Sequence, residues 1–170
     1  MSTHPTSTHP TSTRPTSAHP ARRTAAAAAA GFLTIAAFEV ALAAGAPLGR
    51  AAWGGSHTHL PAGLRIASAV AVGVWLFAAL IVLGRGGFRV GPLPPKFLRW
   101  ATWTLVGVQL LAALTNFASS SSWERYLWGP VALIMAGLCL VVARGAAPEP
   151  HAGRAATPTD DTTSRPRTNR

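Results

Sequence analysis

Glu39 is the single charged residue in an apolar run that extends from about Ala25 to Ala46. A carboxyl in such a place can hold a proton, ligate a cation, accept hydrogen bonds from amides or serve as a general acid or base. Each role needs a partner, because a charge at the centre of a bilayer costs about 2.5–3.5 kcal/mol on insertion scales. Partners are available in a later apolar run, where Thr102, Gln109 and Asn116 follow one another at a spacing of seven. In a helix that spacing puts all three on one face. An amide from this face could donate to Glu39. Alternatively, Arg50 or Arg125 could fold inward from the flanking loops and pair with it. Two readings follow: a proton or cation-ligand site, and a polar clamp between the first and third helices.

The loops supply a second group of chemically capable residues. One loop, Gly45 to Pro61, carries Arg50, Trp53, His57 and His59, and another carries Glu124 and Arg125 within Trp123-Glu124-Arg125-Tyr126-Leu127-Trp128. Together they could line a shallow pocket of carboxylates, guanidiniums and aromatic rings next to Glu39 and Asn116. His57 and His59, with Glu124 as a third ligand, are weak zinc candidates. Their spacing is not diagnostic, so no metal site is assigned. Nothing resembles a nucleophile elbow, a P-loop, a dinucleotide fingerprint or an HExxH helix, so no catalytic residue is assigned and no cofactor is expected.

These residues must be positioned by the apolar segments. Hydrophobic residues make up 49% of the 170 and charged residues only 12%, against about 25% charged in soluble domains. Four apolar stretches stand out, at about 25–46, 66–83, 100–118 and 127–143. Each is close to the roughly 20 residues that a helix needs to cross about 30 Å of hydrocarbon. None alternates with the period of a spanning β-strand. The expected fold is therefore all-α: a polytopic membrane protein with four transmembrane helices. Counted from Ala25, Glu39 falls roughly 21 Å along the first helix, in its outer half. Asn116 should lie at a similar depth, with Gln109 about two turns deeper.

Lysine and arginine orient the bundle. Twelve of the 15 flank one side, including Arg14, Arg22 and Arg23 in the N-terminal tail, Arg85, Arg89, Lys96 and Arg99 in the middle loop, and Arg144 with four more in the C-terminal tail. Only Arg50, Arg65 and Arg125 lie on the other side. The positive-inside rule places both termini in the cytoplasm. This bias also explains the net charge of +10 without nucleic acid, which is not an expected partner. Trp53, Trp100, Trp103, Trp123, Tyr126 and Trp128 sit where interfacial belts belong, and mid-helix Trp75 suits packing. Arg22-Arg23 ahead of an alanine-rich run, with Ala41-Leu42-Ala43 beyond it, has the outline of a cleavable signal peptide. Glu39 within the run and the run's length favour a retained span.

The domain plan is a Ser/Thr/His/Pro-repeat tail over 1–24, expected to be disordered and to include His4, His9 and His19, a four-helix transmembrane domain over 25–143, and a disordered basic tail over 144–170. Cys139, the one cysteine, reads as a packing residue.

The motifs Phe38-Glu39, Gly45 to Gly55, Leu60 to Ser68, Asn116-Phe117-Ala118-Ser119 and Trp123 to Val131 resemble those of a set of small uncharacterised actinobacterial-type integral membrane proteins. The resemblance covers about residues 30 to 143. It implies four helices in a bacterial plasma membrane and carries no activity with it. Three functions are compatible with all of this. The first is a non-enzymatic membrane protein with a polar cluster around Glu39, able to form a homo-oligomer of parallel subunits in the lipid bilayer. The second is a small proton-coupled carrier using Glu39. The third is a membrane enzyme acting on a lipid-like substrate, with Glu39 or Glu124 as acid or base.

Overall fold

A computed structural model describes residues 18–145 of the chain. The expectations for residues 1–17 and 146–170, which include His4 and His9 and most of both tails, lie outside the described residues. So does the His19 side chain. Four helices run α1 (Ala18–Ala44), α2 (Ala62–Arg85), α3 (Pro95–Ala118) and α4 (Gly129–Arg144), and a π-turn over Glu124–Trp128 leads directly into α4. Among the described residues there is no strand. The helices alternate in direction. α1 lies along α2 and α3 along α4, while α1 also meets α4 and α2 meets α3, so the bundle closes in chain order.

The elements begin earlier than hydropathy alone indicates. α1 takes in residues 18–24, which the domain plan assigned to the tail. Alanine and arginine both favour helix, and the Arg22 guanidinium lies 4.5 Å from the centre of the Phe88 ring, so this polar turn has its own support. α2 starts directly after Pro61, and α3 starts on Pro95 rather than near Trp100. Proline suits a first turn, where its missing N–H would be unpaired anyway. A hydropathy reading misses such turns because their residues are charged or small.

The packing places small residues inside and large ones outside. Ala25, Ala28, Ala29, Phe32 and Ala36 are buried at the three- and four-residue spacing of one helix face. Facing them are further alanines, among them Ala78, Ala79, Ala101, Ala132, Ala136 and Ala143. Short side chains let the backbones approach closely, as in helix pairs within membranes. Ile66, Val70, Leu111, Leu114 and Ile134 are each more than 60% exposed. The small pair Ala69 and Gly73 also faces outward, unlike Ala132 and Ala136. All four helices, counting the π-turn with α4, are at least 21 residues long and apolar enough to cross a membrane. That length is about 32 Å of helix. Trp100, Trp103, Trp123 and Tyr126 project from the helix ends, whereas Trp75 packs inward and stacks on Phe32 with ring centres 5.8 Å apart.

Arginines close three of the helix ends. Arg65 donates from Nε to the Ala43 carbonyl at 2.9 Å, beside the left-handed Gly45 that terminates α1. Arg85 donates to the carbonyls of Ala143 at 3.1 Å and Gly145 at 2.7 Å, at the end of α4. Arg125 reaches the Ser119 carbonyl just beyond α3 through two N–H groups, at 3.1 and 2.7 Å. Each guanidinium satisfies carbonyls that the helix itself leaves unpaired.

The tightest approach is at Gly86, where an added Cβ would strike the Cβ of Ala25 on α1. Gly73 has nothing within 4 Å of the same construction. Gly86→Ala should therefore destabilise the bundle by about 1–3 kcal/mol through overpacking. Gly73→Ala should be neutral or stabilising by up to about 1 kcal/mol through helix propensity. Thermal unfolding of the two variants in detergent micelles, followed by circular dichroism, tests the contrast.

Candidate functional site

At the end of the bundle that carries the α1–α2 loop, the four helices part around a cavity of about 390 Å³. α1 contributes Ile35, Phe38 and Glu39, and α2 contributes Trp75. α3 contributes Gln109, Thr115 and Asn116. The loops contribute Trp53, Glu124 and Trp128. Spacing accounts for most of this. Gln109 and Asn116 are two turns apart on one face of α3 and both reach the cavity, as expected. Thr102, on the same face, is fully buried and donates to the Leu98 carbonyl of its own helix at 2.6 Å.

The cavity's polar groups are incompletely paired. Glu39 Oε2, Gln109 Oε1 and Trp75 Nε1 are buried with no hydrogen-bond partner among the described residues. Glu39 and Gln109 therefore share the cavity without a direct bond between them, so the expected clamp is two facing groups and not a closed contact. Ser68, on α2, stands near the Glu39 carboxyl without a hydrogen bond to it. Ser68 is itself fully buried and accepts from the Trp53 indole N–H at 3.1 Å. The loop is thus tied to α2 by a side-chain bond.

The loop folds over the cavity as a roof. Trp53 adopts a left-handed backbone at φ 52°, and Gly54 and Gly55 follow it at 80° and 71°. Glycine takes that conformation freely, whereas a tryptophan holding it carries strain of order 1–3 kcal/mol. The roof is fastened on the other side by Glu124. Its Oε1 accepts from the Gly54 amide at 2.6 Å and its Oε2 from the Ser119 hydroxyl at 2.5 Å. Trp128 adds an indole N–H to the Ala51 carbonyl at 2.6 Å, and its ring lies 4.8 Å from that of Phe38. Glu124 and Trp128 reach the same cavity because positions four apart stand on one side of a helical turn.

No known protein family, curated protein or solved structure matches the chain. The site must therefore be read from its own geometry.

That geometry departs from the sequence reading at the arginines and histidines. Neither Arg50 nor Arg125 pairs with Glu39. Arg125 is held by the Ser119 carbonyl, and Arg50 donates from Nε to the Thr58 hydroxyl at 3.3 Å. Backbone carbonyls at a helix end lie nearer to Arg125 than the bundle interior does, and they satisfy it without burying its charge. His57 pairs with the Ser56 hydroxyl at 2.8 Å, and His59 with the Gly45 carbonyl at 3.3 Å. Glu124 is engaged with Gly54 and Ser119, and among the described residues no three His, Cys, Asp or Glu side chains cluster. Sequence reasoning missed Ser68 and the bond that turns Trp53 onto it, and it gave Trp75 a packing role without a place on the cavity wall. A signal existed, since Ser68 is the one hydroxyl in α2 and stands seven residues before Trp75, on the same face.

If Glu124 fastens the roof, Glu124→Ala should leave the Gly54 amide open. Hydrogen–deuterium exchange over residues 49–58 should then speed up at least tenfold, with α2 and α3 unchanged. Exchange equal to that of the unaltered protein would show that the bond to Gly54 contributes nothing.

Proposed function

We propose that this chain is a multi-pass integral membrane protein whose cavity, at the extracytoplasmic end of the bundle, binds a small ligand. The observation that carries this reading is the pair of buried, unpartnered oxygens, Glu39 Oε2 and Gln109 Oε1, on the wall of one cavity. Buried polar groups left unpaired cost about 1–3 kcal/mol each. Native proteins keep few of them, and those retained call for an explanation in function. A cavity of about 390 Å³, mainly apolar with a few convergent polar groups, has the size and character of a small-molecule site.

The setting follows from the outer surface. An exterior of leucine, isoleucine, valine and phenylalanine suits lipid, and water would meet it as one very large apolar patch. The rim of exposed Trp100, Trp103, Trp123 and Tyr126 suits the two interfaces. Seven of the ten basic residues among those described lie at the α2–α3 loop end, and Arg50, Arg65 and Arg125 at the other. That asymmetry favours a cytoplasmic position for the first end and for both termini. The resemblance of residues 30–143 to small actinobacterial membrane proteins supports a bacterial plasma membrane. Glu124, one of the two candidate acids or bases, is held by Gly54 and Ser119, so binding takes precedence over turnover as the reading.

Cysteine accessibility tests membrane, orientation and cavity together. In a Cys139→Ala background in intact bacteria, Asn116→Cys should react with an impermeant cationic methanethiosulfonate. Leu114→Cys, on the lipid-facing side at 68% exposure, should react at least tenfold more slowly. Arg89→Cys should react only after the cells are permeabilised. Equal rates at 114 and 116, or reaction of Arg89→Cys in intact cells, would overturn the reading.

A further inference from the structure

We propose that the ligand of this cavity is a small organic ammonium, an amine that carries N–H donors on a compact apolar body. The proposal rests on the reading of the cavity as a binding site and adds its chemical class.

Charge is the first argument. Two carboxylates, Glu39 and Glu124, line the cavity, and no lysine or arginine does. The guanidiniums at this end of the bundle are engaged elsewhere: Arg65 on Ala43, Arg125 on Ser119 and Arg50 on Thr58. An ionised Glu39 therefore has no resident countercharge. Glu124 has two donors of its own, which leaves Glu39 as the carboxylate open to a cation.

Hydrogen-bonding sense is the second argument. Glu39 Oε2 and Gln109 Oε1 are both acceptors, both buried and both unpartnered. Gln109 is 1% exposed. An ammonium N–H suits a carboxylate or an amide oxygen, and an ammonium bearing two or three can serve more than one acceptor. A carboxylate ligand would bring only further acceptors.

The rings supply the third argument. Phe38, Trp53, Trp75 and Trp128 all line the cavity. The indole N–H of Trp53 is committed to Ser68, and that of Trp128 to the Ala51 carbonyl. Those two indoles therefore have no free donor to offer the cavity, and the faces of aromatic rings attract a cation. Trp75 Nε1 remains as a buried, unpartnered donor, which a hydroxyl on the same amine would satisfy. At about 390 Å³ the space far exceeds a bare metal ion and accommodates an arylalkylamine.

The test titrates the purified full chain in lipid nanodiscs with three probes of nearly equal shape: 2-phenylethylammonium, neutral 2-phenylethanol and anionic 3-phenylpropanoate. Binding is read by isothermal calorimetry and by tryptophan fluorescence. The ammonium should saturate at least tenfold more tightly than the alcohol, and Glu39→Gln should abolish that advantage. Ala112→Trp, which fills the cavity from α3, should block binding. Thermal unfolding checks that this variant folds, and the Glu39→Gln comparison stands independently of it. If alcohol and ammonium bind alike and Ala112→Trp blocks both, the cavity is a site and the ammonium assignment is wrong. Tightest binding by the propanoate would also overturn the assignment. If no probe shows saturable binding, the assignment and the underlying reading fail together.

Discussion

A polar group inside a bundle whose exterior is hydrocarbon must find its partner within the bundle. Nearly every non-apolar feature of this chain follows from that constraint. Helices meet the demand along their length through their own backbone bonds, and the difficulty falls on their ends. Here three arginines reach across to helix ends, Arg65 at α1, Arg85 at α4 and Arg125 just past α3. The same demand applies to side chains. Ser68 satisfies Trp53, Thr102 turns back on its own helix, and Glu124 is saturated by Gly54 and Ser119. Against that background four buried side-chain atoms stay open among the described residues: three of them, on Glu39, Gln109 and Trp75, line one space, and the fourth, Arg85 Nε, lies at the α2–α3 loop end.

The arginines also bear on the charge pattern. Basic residues on the sparsely charged side run against orientation, yet Arg65 and Arg125 have structural posts at carbonyls there. Because those posts hold them, neither neutralises the cavity. A positive charge that serves a helix end is removed from competition for Glu39, and this keeps the carboxyl available.

Much of the fold was legible in the sequence because length and hydropathy are what a spanning helix requires. Four segments were expected and four helices are present. Their first turns were not visible, since charged residues or proline, among them Arg22, Arg23, Arg65, Pro95 and Lys96, stand in or beside them. The heptad spacing of Gln109 and Asn116 correctly placed both on one surface, and Glu124 joined them as expected. What could not be read was pairing across the loops. Arg50 and Arg125 looked free to fold inward because their actual partners, a threonine hydroxyl and a backbone carbonyl, leave no pattern in a sequence. Trp53 looked like a belt residue for the same reason: its role depends on a left-handed backbone and on Ser68, neither of which spacing reveals.

The π-turn at Glu124–Trp128 has a consequence for sequence length. Such a turn is an α-helix holding one residue too many, accommodated here beside Gly129, where the chain abuts the Phe117 ring, and Pro130, which offers no N–H to the preceding turn. Deleting one residue from this stretch would let an ordinary helix form. A bulge of this kind absorbs its extra residue locally, so the chain on either side would keep nearly the same facing once that residue was gone. The same deletion inside α1 or α3 would turn everything before it by about 100°. The chain thus has at this turn a place where its length can change by one residue without moving Glu39 or Gln109 off the cavity.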